Sequence, residues 1–380
     1  MNIDDIINSI DSNNLDIAFG RVVNISAVTL SAVGLDVAVG DIVRIESAQK
    51  LYTVLGMVTV LKDGLFVIVP FSFIDGFKIN DKVFLQRDGL TVKCGNGLLG
   101  RVVNALGDPI DDLGKIRDLD TNAPINKESM SPLDRGIIDK KFATGVKAID
   151  SMLTCGKGQK VGIFAGSGVG KSTLMGMIVQ GCEATIKVIA LVGERGREIP
   201  EFIHYNLNNN LENTVIVTAT SDESPLMRKY AAFTAMTIAE YFRDKGYDVL
   251  LMMDSVTRFA MAQREIGLST GEPPVSRGYP PSVFALLPQL MERAGNSKKG
   301  SITAFFTVLV DGDDLNDPIA DQSRSILDGH IVLTRDLTEQ GFYPPINILK
   351  SASRVIDKVV TKEHYNDFLK LKRVLSLIKE

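Results

Sequence analysis

Residues 163–173, Ile-Phe-Ala-Gly-Ser-Gly-Val-Gly-Lys-Ser-Thr, have the residue types of a phosphate-binding loop. An apolar run leads into a glycine-rich turn, whose backbone N–H groups can point at an anion. The helix predicted to follow adds the positive end of its dipole. Lys171 can reach the terminal phosphates, and the Ser172 hydroxyl can bind Mg²⁺. This spacing predicts binding of a nucleoside triphosphate.

The predicted phosphate loop departs from the strict pattern at its first position, where Ala165 replaces glycine. Because alanine is also small, we expect the tight turn to form. The predicted nucleotide-binding residues of the loop are Ala165, Gly166, Ser167, Gly168, Val169, Gly170, Lys171, Ser172 and Thr173.

Two other apolar runs end in charged residues. Residues 249–254 end at Asp254, which we interpret as the second Mg²⁺ ligand, the alternative being a cap on the next helix. Residues 190–195 end in Glu194 and Arg195. A carboxylate there can polarise a water molecule, and a guanidinium can neutralise charge on a transferring phosphoryl group. The alternative is a solvated charged turn.

The composition narrows the function classes. A net charge of −4 gives no excess of positive charge with which to bind the phosphates of nucleic acid. No apolar run approaches the roughly 20 residues of a membrane span, and the acidic first residues do not resemble a signal peptide. Cys94, Cys155 and Cys182 have no metal-ligand spacing, which predicts free thiols in a reducing cytoplasm.

The first part of the chain shows two different hydrophobic patterns. Residues 3–10 place four isoleucines at helical spacing, which predicts an amphipathic helix within residues 1–17. Residues 18–87 contain short β runs about ten residues apart, at 20–25, 41–45, 52–56, 65–69 and 82–85. Glycine and aspartate turns between such runs are typical of a small antiparallel barrel or sandwich, of which we expect the barrel.

Residues 88–350 predict a nucleotide-binding α/β domain. After a Pro/Asp-rich connector at 100–139, strand and helix patterns alternate, which favours a largely parallel sheet with helices on both faces. The ligand site of such a sheet lies at the carboxyl ends of its strands. The predicted elements are strands 160–165, 187–192, 214–219, 248–254 and 302–309 and helices 172–184 and 225–245.

Several stretches resemble known families. The phosphate loop and residues 193–200, 254–260 and 351–355 resemble the catalytic subunits of rotary ATP synthases. Within that superfamily, residues 263–284, 286–295 and 311–330 are similar to the flagellar and type III secretion export ATPases, the flagellar member being the closest. The resemblance covers about residues 18–380. It implies a RecA-like P-loop core with a parallel sheet, preceded by a small β-barrel and followed by a truncated helical domain.

The resemblance also implies roles for the residues of the core. Lys171 would hold the β- and γ-phosphates of ATP, and Ser172 and Asp254 would bind Mg²⁺. Glu194 would orient or activate the attacking water.

The resemblance also implies roles for four residues outside this core. Arg195 and Arg258 look like phosphate-contacting residues. Tyr343 matches the aromatic residue that packs on adenine, the alternative being a core residue. Arg354 matches an arginine finger that each subunit inserts into its neighbour's site.

For the assembly, the resemblance implies a homo-hexamer that hydrolyses ATP and energises protein export, unloading or unfolding cargo at the export gate. The implied partners are a stator-like regulatory subunit, a central stalk protein, the export gate, chaperones and flagellar export substrates. The implied location is the cytoplasmic face of the inner membrane, with peripheral association only. Members usually carry a longer C-terminal helical domain, of which residues 351–380 would be the start.

Three other functions are compatible with a phosphate loop. The catalytic subunit of an ion-translocating rotary synthase shares the whole site, but residues 272–284 and 311–330 favour export. The excess of acidic over basic residues argues against a ring-shaped nucleic-acid translocase. A non-catalytic nucleotide-binding subunit would lack part of the set formed by Lys171, Glu194, Asp254 and Arg354. Flagellum and injectisome both remain open.

Overall fold

The computed structural model describes residues 18–47, 52–310 and 317–379. The helix predicted for 1–17 and the start of the 311–330 stretch lie outside these residues. The described chain divides into two compact units, one containing the residues up to Leu90 together with Ser269–Gly271, the other containing the rest. In the part of the chain that is described, no helix is long and apolar enough to cross a membrane.

The first unit is a closed antiparallel barrel of six strands in the order β1-β2-β5-β4-β3-β6. The strands are β1 Gly20–Ile25, β2 Leu30–Val33, β3 Ile42–Glu46, β4 Thr53–Lys62, β5 Leu65–Pro70 and β6 Lys82–Gln86. Pairing of β1 with β6 closes the barrel. The predicted barrel is therefore confirmed, with one strand that the pattern did not show. That strand, β2, has only four residues, two of them small, so its alternation of buried Leu30 and Ala32 is a weak signal.

Side chains from all six strands fill the interior of the barrel. Val22, Ile45 and Ile68 belong to its buried cluster. Gly56 of β4 allows close packing at one point, because a Cβ atom there would lie 2.4 Å from Cγ2 of Ile68. Burial of this cluster is the main favourable contribution to the stability of such a small unit.

The second unit is built around a nine-stranded, mainly parallel sheet in the order β19-β18-β12-β17-β15-β13-β14-β8, with β16 paired to β17. Only β16 and β19 pair antiparallel to their neighbours in this sheet. Two further two-stranded sheets pair β7 with β9 and β10 with β11. The strands are β7 Thr91–Cys94, β8 Val102–Val103, β9 Thr121–Pro124, β10 Lys141–Phe142, β11 Cys155–Gly156, β12 Lys160–Ala165, β13 Ile186–Glu194, β14 Thr214–Thr220, β15 Asp248–Asp254, β16 Gly295–Asn296, β17 Ser301–Leu309, β18 Gly329–Val332 and β19 Ala352–Ser353.

Helices cover both faces of this sheet, as predicted. On one face, helix α2 packs Leu174 and Ile178 into the same buried cluster as Ile189 of β13. Side chains alternate along a strand, so Val188 and Ala190 point to the other face, where α4 packs on β13. The α-helices are α1 Lys147–Met152, α2 Lys171–Gly181, α3 Glu198–Glu201, α4 Pro225–Asp244, α5 Val256–Ser269, α6 Pro281–Met291, α7 Pro318–Ile326, α8 Arg335–Glu339, α9 Ile356–Val359 and α10 Lys362–Lys379.

The end of one helix and the connector differ most from the sequence pattern. The helix predicted to run to residue 184 ends at Gly181, and the extended backbone of Cys182 starts the turn towards β13. The backbone of Gly145 also passes so close that a Cβ atom on Gly181 would lie 3.0 Å from the Gly145 Cα. The Pro/Asp-rich connector contains β8, which adds an edge strand beside β14, and β9. Strands of two to four residues carry too little periodicity to be seen in the sequence.

The three cysteines are free thiols, as predicted. Cys94 and Cys155 are buried and Cys182 is half-buried. Burial, with a smaller effect of Asp120, raises the pKa of Cys94 to about 12, so this thiol stays protonated at neutral pH.

A buried ion pair ties the connector to the helices of the second unit. Arg293, just after α6, is 1% exposed and makes two hydrogen bonds with the Glu240 carboxylate of α4, at 3.1 and 2.7 Å. The same guanidinium donates to the Ile125 carbonyl and the Thr237 hydroxyl, both at 2.9 Å. Because all its partners are buried, removing one side of the pair leaves a charge that water cannot reach.

We expect Arg293→Ala to lower the free energy of unfolding by about 3–5 kcal/mol, since Glu240 would remain buried without its partner. Urea denaturation followed by circular dichroism measures this. Lys298→Ala is the control, because Lys298 pairs with Asp134 on the surface and should matter by less than about 1 kcal/mol. The double variant Arg293→Met, Glu240→Leu should recover part of the loss. An Arg293→Ala protein as stable as the control variant would contradict this prediction.

Candidate nucleotide-binding site

The phosphate loop connects β12 to α2 at the carboxyl end of the sheet. Gly168 and Gly170 have φ values of 77° and 91°, a conformation that side chains with a Cβ atom rarely adopt. Gly170 is the residue that caps the start of α2. Ala165 is the last residue of β12 and is fully buried, so the position that departs from glycine is an extended strand residue. The replacement therefore costs no backbone strain.

A cavity of about 560 Å³ opens beside this loop. The predicted residues that line it are Gly166, Ser167, Gly168, Gly170, Lys171, Ser172, Thr173, Glu194, Arg195, Asp254 and Arg258. Ala165 and Val169 are buried beneath the loop and do not line the cavity. The ends of β12, β13, β15 and β17 thus meet at one place, which is where a parallel sheet positions its ligand site.

Three ionisable side chains from different elements converge in the cavity. The Lys171 ammonium, at the start of α2, makes an ion pair with Oδ1 of Asp254, the last residue of β15. It lies 3.7 Å from Oε1 of Glu194, the last residue of β13. The three side chains are between 5% and 14% exposed, so water screens their charges weakly.

The electrostatics of this cluster follow from burial and from two carboxylates sharing one cation. Burial, then the negative charge of Asp254, raises the pKa of Glu194 to about 7, against the opposing effect of Lys171. A hydrogen bond with Glu198 also raises this pKa. Burial lowers the pKa of Lys171, but the charges of Asp254 and Glu194 outweigh it and raise the pKa overall. Lys171 is therefore charged, while Glu194 can change protonation near neutral pH.

A β-bulge helps to aim Glu194 into the cavity. The register of β13 with β14 shifts between Val192 and Glu194, and Gly193 at the bulge has a φ of 70°. A Cβ atom on Gly193 would lie 3.0 Å from Cβ of Arg258. Bulges re-aim the side chains that follow them, and here the bulge also leaves room for Arg258.

The two arginines of the cavity have different surroundings. The Arg258 Nε is buried and has no hydrogen-bond partner within the described residues. A buried donor of this kind is costly unless an acceptor arrives, so this atom fits an anionic ligand. Arg195 is 68% exposed, and its guanidinium lies 3.8 Å from Glu198. It lines the rim of the cavity.

Two predicted residues outside the phosphate loop also do not line the cavity. Tyr343 is 66% exposed, although the nearby Pro345 lies against Gly170 of the phosphate loop. Arg354 is exposed and follows β19, at the opposite end of the sheet. Its N–H donates to the Asp328 carbonyl, and the Asp328 N–H donates to the carbonyl of Lys160, the first residue of β12. Five strand residues therefore separate Arg354 from the loop, about 17 Å at 3.3 Å per residue.

Other polar groups at the site were not predicted. The Thr307 hydroxyl of β17 donates to Oδ1 of Asp254 at 2.6 Å. The Asn206 amide donates to the Ser172 carbonyl at 3.2 Å, and Glu198 and Glu201 line the cavity. The sequence offered one usable signal: Thr307 is a polar residue near the end of an apolar strand.

The residues present fit a magnesium ion that arrives with a nucleotide. Among residues 18–47, 52–310 and 317–379, no group of three or more His, Cys, Asp or Glu side chains could hold a metal alone. Mg²⁺ is usually bound by one or two carboxylates together with substrate phosphates and water. The Ser172 hydroxyl and the Asp254 carboxylate, both lining the cavity, match that donor set.

Comparison with known proteins defines the family. Residues 145–353 match the nucleotide-binding domain of the ATP synthase alpha/beta family. The chain is 59% identical to the flagellum-specific ATP synthase of Helicobacter pylori strain J99, over 95% of this chain and 83% of that protein.

Solved structures give the same result. The assembled ATPase EscN from the type III secretion system of enteropathogenic E. coli has a TM-score of 0.90 and 46% identity, covering 95% of this chain and 86% of that one. EscN in complex with its central stalk EscO gives a TM-score of 0.87 at 45% identity, with the same coverage. The chain therefore belongs to the ATP synthase alpha/beta family and, within it, to the flagellum-specific and type III secretion ATPases. The predicted fold class and resemblance are confirmed.

We expect Gly193→Ala to weaken nucleotide binding, because the new Cβ would push Arg258 out of place. The left-handed backbone at this position should also cost about 1–2 kcal/mol of stability. Gly196→Ala is the matched control, since its Cβ would meet nothing closer than 3.9 Å. Titration with a fluorescent ATP analogue and thermal denaturation measure both effects. Equal nucleotide affinity in the two variants would contradict the role given to the bulge.

Proposed function

We propose that this chain is the ATP-hydrolysing subunit of a homo-hexameric ring that energises protein export through a flagellar, type III apparatus. The observation that carries the proposal is the convergence of Lys171, Asp254 and Glu194 beside the phosphate loop, in a chain of this family. A binding protein needs the loop and the lysine. Hydrolysis also needs a base, and a carboxylate whose pKa lies near neutral pH can serve as one.

ATP binding would exploit charges that are already in place. The N–H groups of the loop and the start of α2 would surround the phosphates, with Lys171 holding the β- and γ-phosphates. Arg258 would give its partnerless Nε to a phosphate oxygen, and Arg195 would contact phosphate from the rim. Ser172 and Asp254 would hold Mg²⁺, which neutralises charge on the β- and γ-phosphates when bound.

Glu194 would orient the water that attacks the γ-phosphorus. The water oxygen forms a bond to phosphorus while the bond to the β–γ bridging oxygen breaks, and ADP leaves with that electron pair. Ionised Glu194 accepts the proton of the attacking water. Its pKa of about 7 places it close to the pH of the cell, where a general base works best.

Arg354 would act on the neighbouring subunit's site. Within its own chain it lies about 17 Å from the loop, at the other end of the sheet. It is exposed, and its guanidinium donates to the Arg324 carbonyl at 3.2 Å. An exposed arginine that cannot reach its own site fits a finger offered to a neighbour, in a head-to-tail ring. Tyr343, exposed near the loop, would pack on the adenine.

The relatives in this family suggest how the subunit assembles and which proteins it binds. A relative of known structure, EscN, forms an assembly and binds a central stalk, EscO. We propose equivalent assembly here, with a central stalk protein, a stator-like regulatory subunit, the export gate, chaperones and flagellar export substrates as partners. The ring would work at the cytoplasmic face of the inner membrane and would bind no nucleic acid.

The value of kcat/KM should fall as the pH drops below about 7, because protonated Glu194 cannot accept the proton. In Glu198→Gln the midpoint should move to lower pH, since the Glu198 carboxylate raises the pKa of Glu194. Glu201→Gln, a neutralised carboxylate that also lines the cavity, should leave the midpoint in place. Steady-state ATPase assays between pH 5.5 and 8.5 give these profiles, and a flat profile would rule out Glu194 as the base.

Complementation between inactive subunits tests the finger. Arg354→Ala should bind ATP normally and lose about 10³-fold or more in rate. Mixed before assembly with Lys171→Ala, which keeps its arginine, it should regain activity, because about a quarter of the sites in a random ring would combine one intact lysine and one intact arginine.

Arg117→Ala, which changes another exposed arginine, is the control and should keep full activity alone. A mixture of the two inactive proteins that stays inactive, although gel filtration shows mixed rings, would exclude a finger acting between subunits.

A further inference from the structure

Thr307 occupies the strand between the phosphate loop and the carboxylate of Asp254. It lies on β17, which pairs with β12 on one side and with β15 on the other. Ile163 of β12 stands opposite Thr307, and Phe306 stands opposite Met253, the residue before Asp254. The side chain of Thr307 is fully buried. Thr307 therefore lies on the strand between β12, which leads into the phosphate loop, and β15, which ends in Asp254.

The hydroxyl has a single hydrogen-bond partner within the described residues, Oδ1 of Asp254, at 2.6 Å. The neighbours of Thr307 along the strand, Phe306 and Val308, are fully buried and apolar. Valine has the size and branched shape of threonine but lacks the hydroxyl. What threonine adds is one donor aimed at one carboxylate oxygen.

Asp254 receives two contacts on one of its carboxylate oxygens. Lys171 and Thr307 contact the same oxygen, Oδ1 of Asp254. If Lys171 moves onto the phosphates, as the proposed function requires, Asp254 loses that partner and keeps Thr307. Both contacts lie on Oδ1, so Oδ2 is left to accept another ligand.

We propose that Thr307 is a positioning residue for Asp254: its hydroxyl fixes the carboxylate so that Oδ2 is presented to the divalent cation of the bound nucleotide. The inference rests on the proposed function, in which Asp254 serves Mg²⁺. A donor to an ionised group contributes more than a donor to a neutral one, and a buried carboxylate without it can rotate. The threonine would act through Asp254 and touch neither nucleotide nor metal.

The test compares Thr307→Val, which removes only the donor, with Thr307→Ser, which keeps it. Mn²⁺ binding to the ADP-saturated protein, followed by electron paramagnetic resonance, reports the cation site without turnover. Thr307→Val should weaken Mn²⁺ binding and raise the Mg²⁺ concentration for half-maximal ATPase rate, each by about 10- to 100-fold. Thr307→Ser should behave like the wild type. Binding of ADP in EDTA should be unchanged in both variants.

Thr303→Val is the matched control. Thr303 lies on the same strand, is 1% exposed, and its hydroxyl accepts a hydrogen bond from the Gly158 N–H at 2.9 Å, away from the cavity. It should alter thermal stability without changing Mn²⁺ affinity. If Thr307→Val does not fold, Thr307→Cys, with a weaker donor of similar size, takes its place and should fall between valine and serine.

Wild-type Mn²⁺ affinity in Thr307→Val would overturn the proposal, as would an equal loss in Thr303→Val. Failure of the proposed function looks different: the wild-type protein would then hydrolyse no ATP under conditions in which rings form. Mn²⁺ affinity with ADP would still report whether Thr307 positions Asp254.

Discussion

The site depends on one buried cation held between two carboxylates. Lys171 is paired with Asp254 and lies 3.7 Å from Glu194, in surroundings that screen charge poorly. Each carboxylate ends a different parallel strand, so the arrangement exists only if the sheet order and register are correct. The lysine stabilises two negative charges that would otherwise repel each other. In the proposed function, an arriving triphosphate would compete with both carboxylates for this lysine, which would tie nucleotide binding to the charge state of Glu194.

Much of this arrangement could be predicted because its signals are local. The glycines of the phosphate loop, the apolar runs before Glu194 and Asp254, and the alternation of strand and helix each lie within a few residues of one another. Parallel strands then bring their carboxyl ends together by geometry alone. The bounds of β12 and β15 agree with the prediction residue for residue.

The parts that sequence reasoning missed depend on contacts between distant segments. The sequence marks Thr307 only as a polar residue near the end of an apolar strand, which is a weak signal because threonine favours strands for its branched Cβ. Its role appears only when β17 lies beside β15. The same holds for Arg293, whose side chain bonds three residues from two distant segments, Ile125 of the connector and Thr237 and Glu240 of α4. The position of Arg354 depends on the pairing of β19 with β18.

That pairing connects Arg354 to the phosphate loop through one sheet. β12 ends in the phosphate loop, β18 is its hydrogen-bonded neighbour, and β19 pairs with β18 and leads directly into Arg354. The three strands are hydrogen-bonded neighbours in one sheet, and close-packed protein interiors transmit strain. A shift of the loop strand on nucleotide binding would therefore move the exposed arginine with it. In the ring proposed above, the occupancy of one pocket would then affect the site of the next subunit.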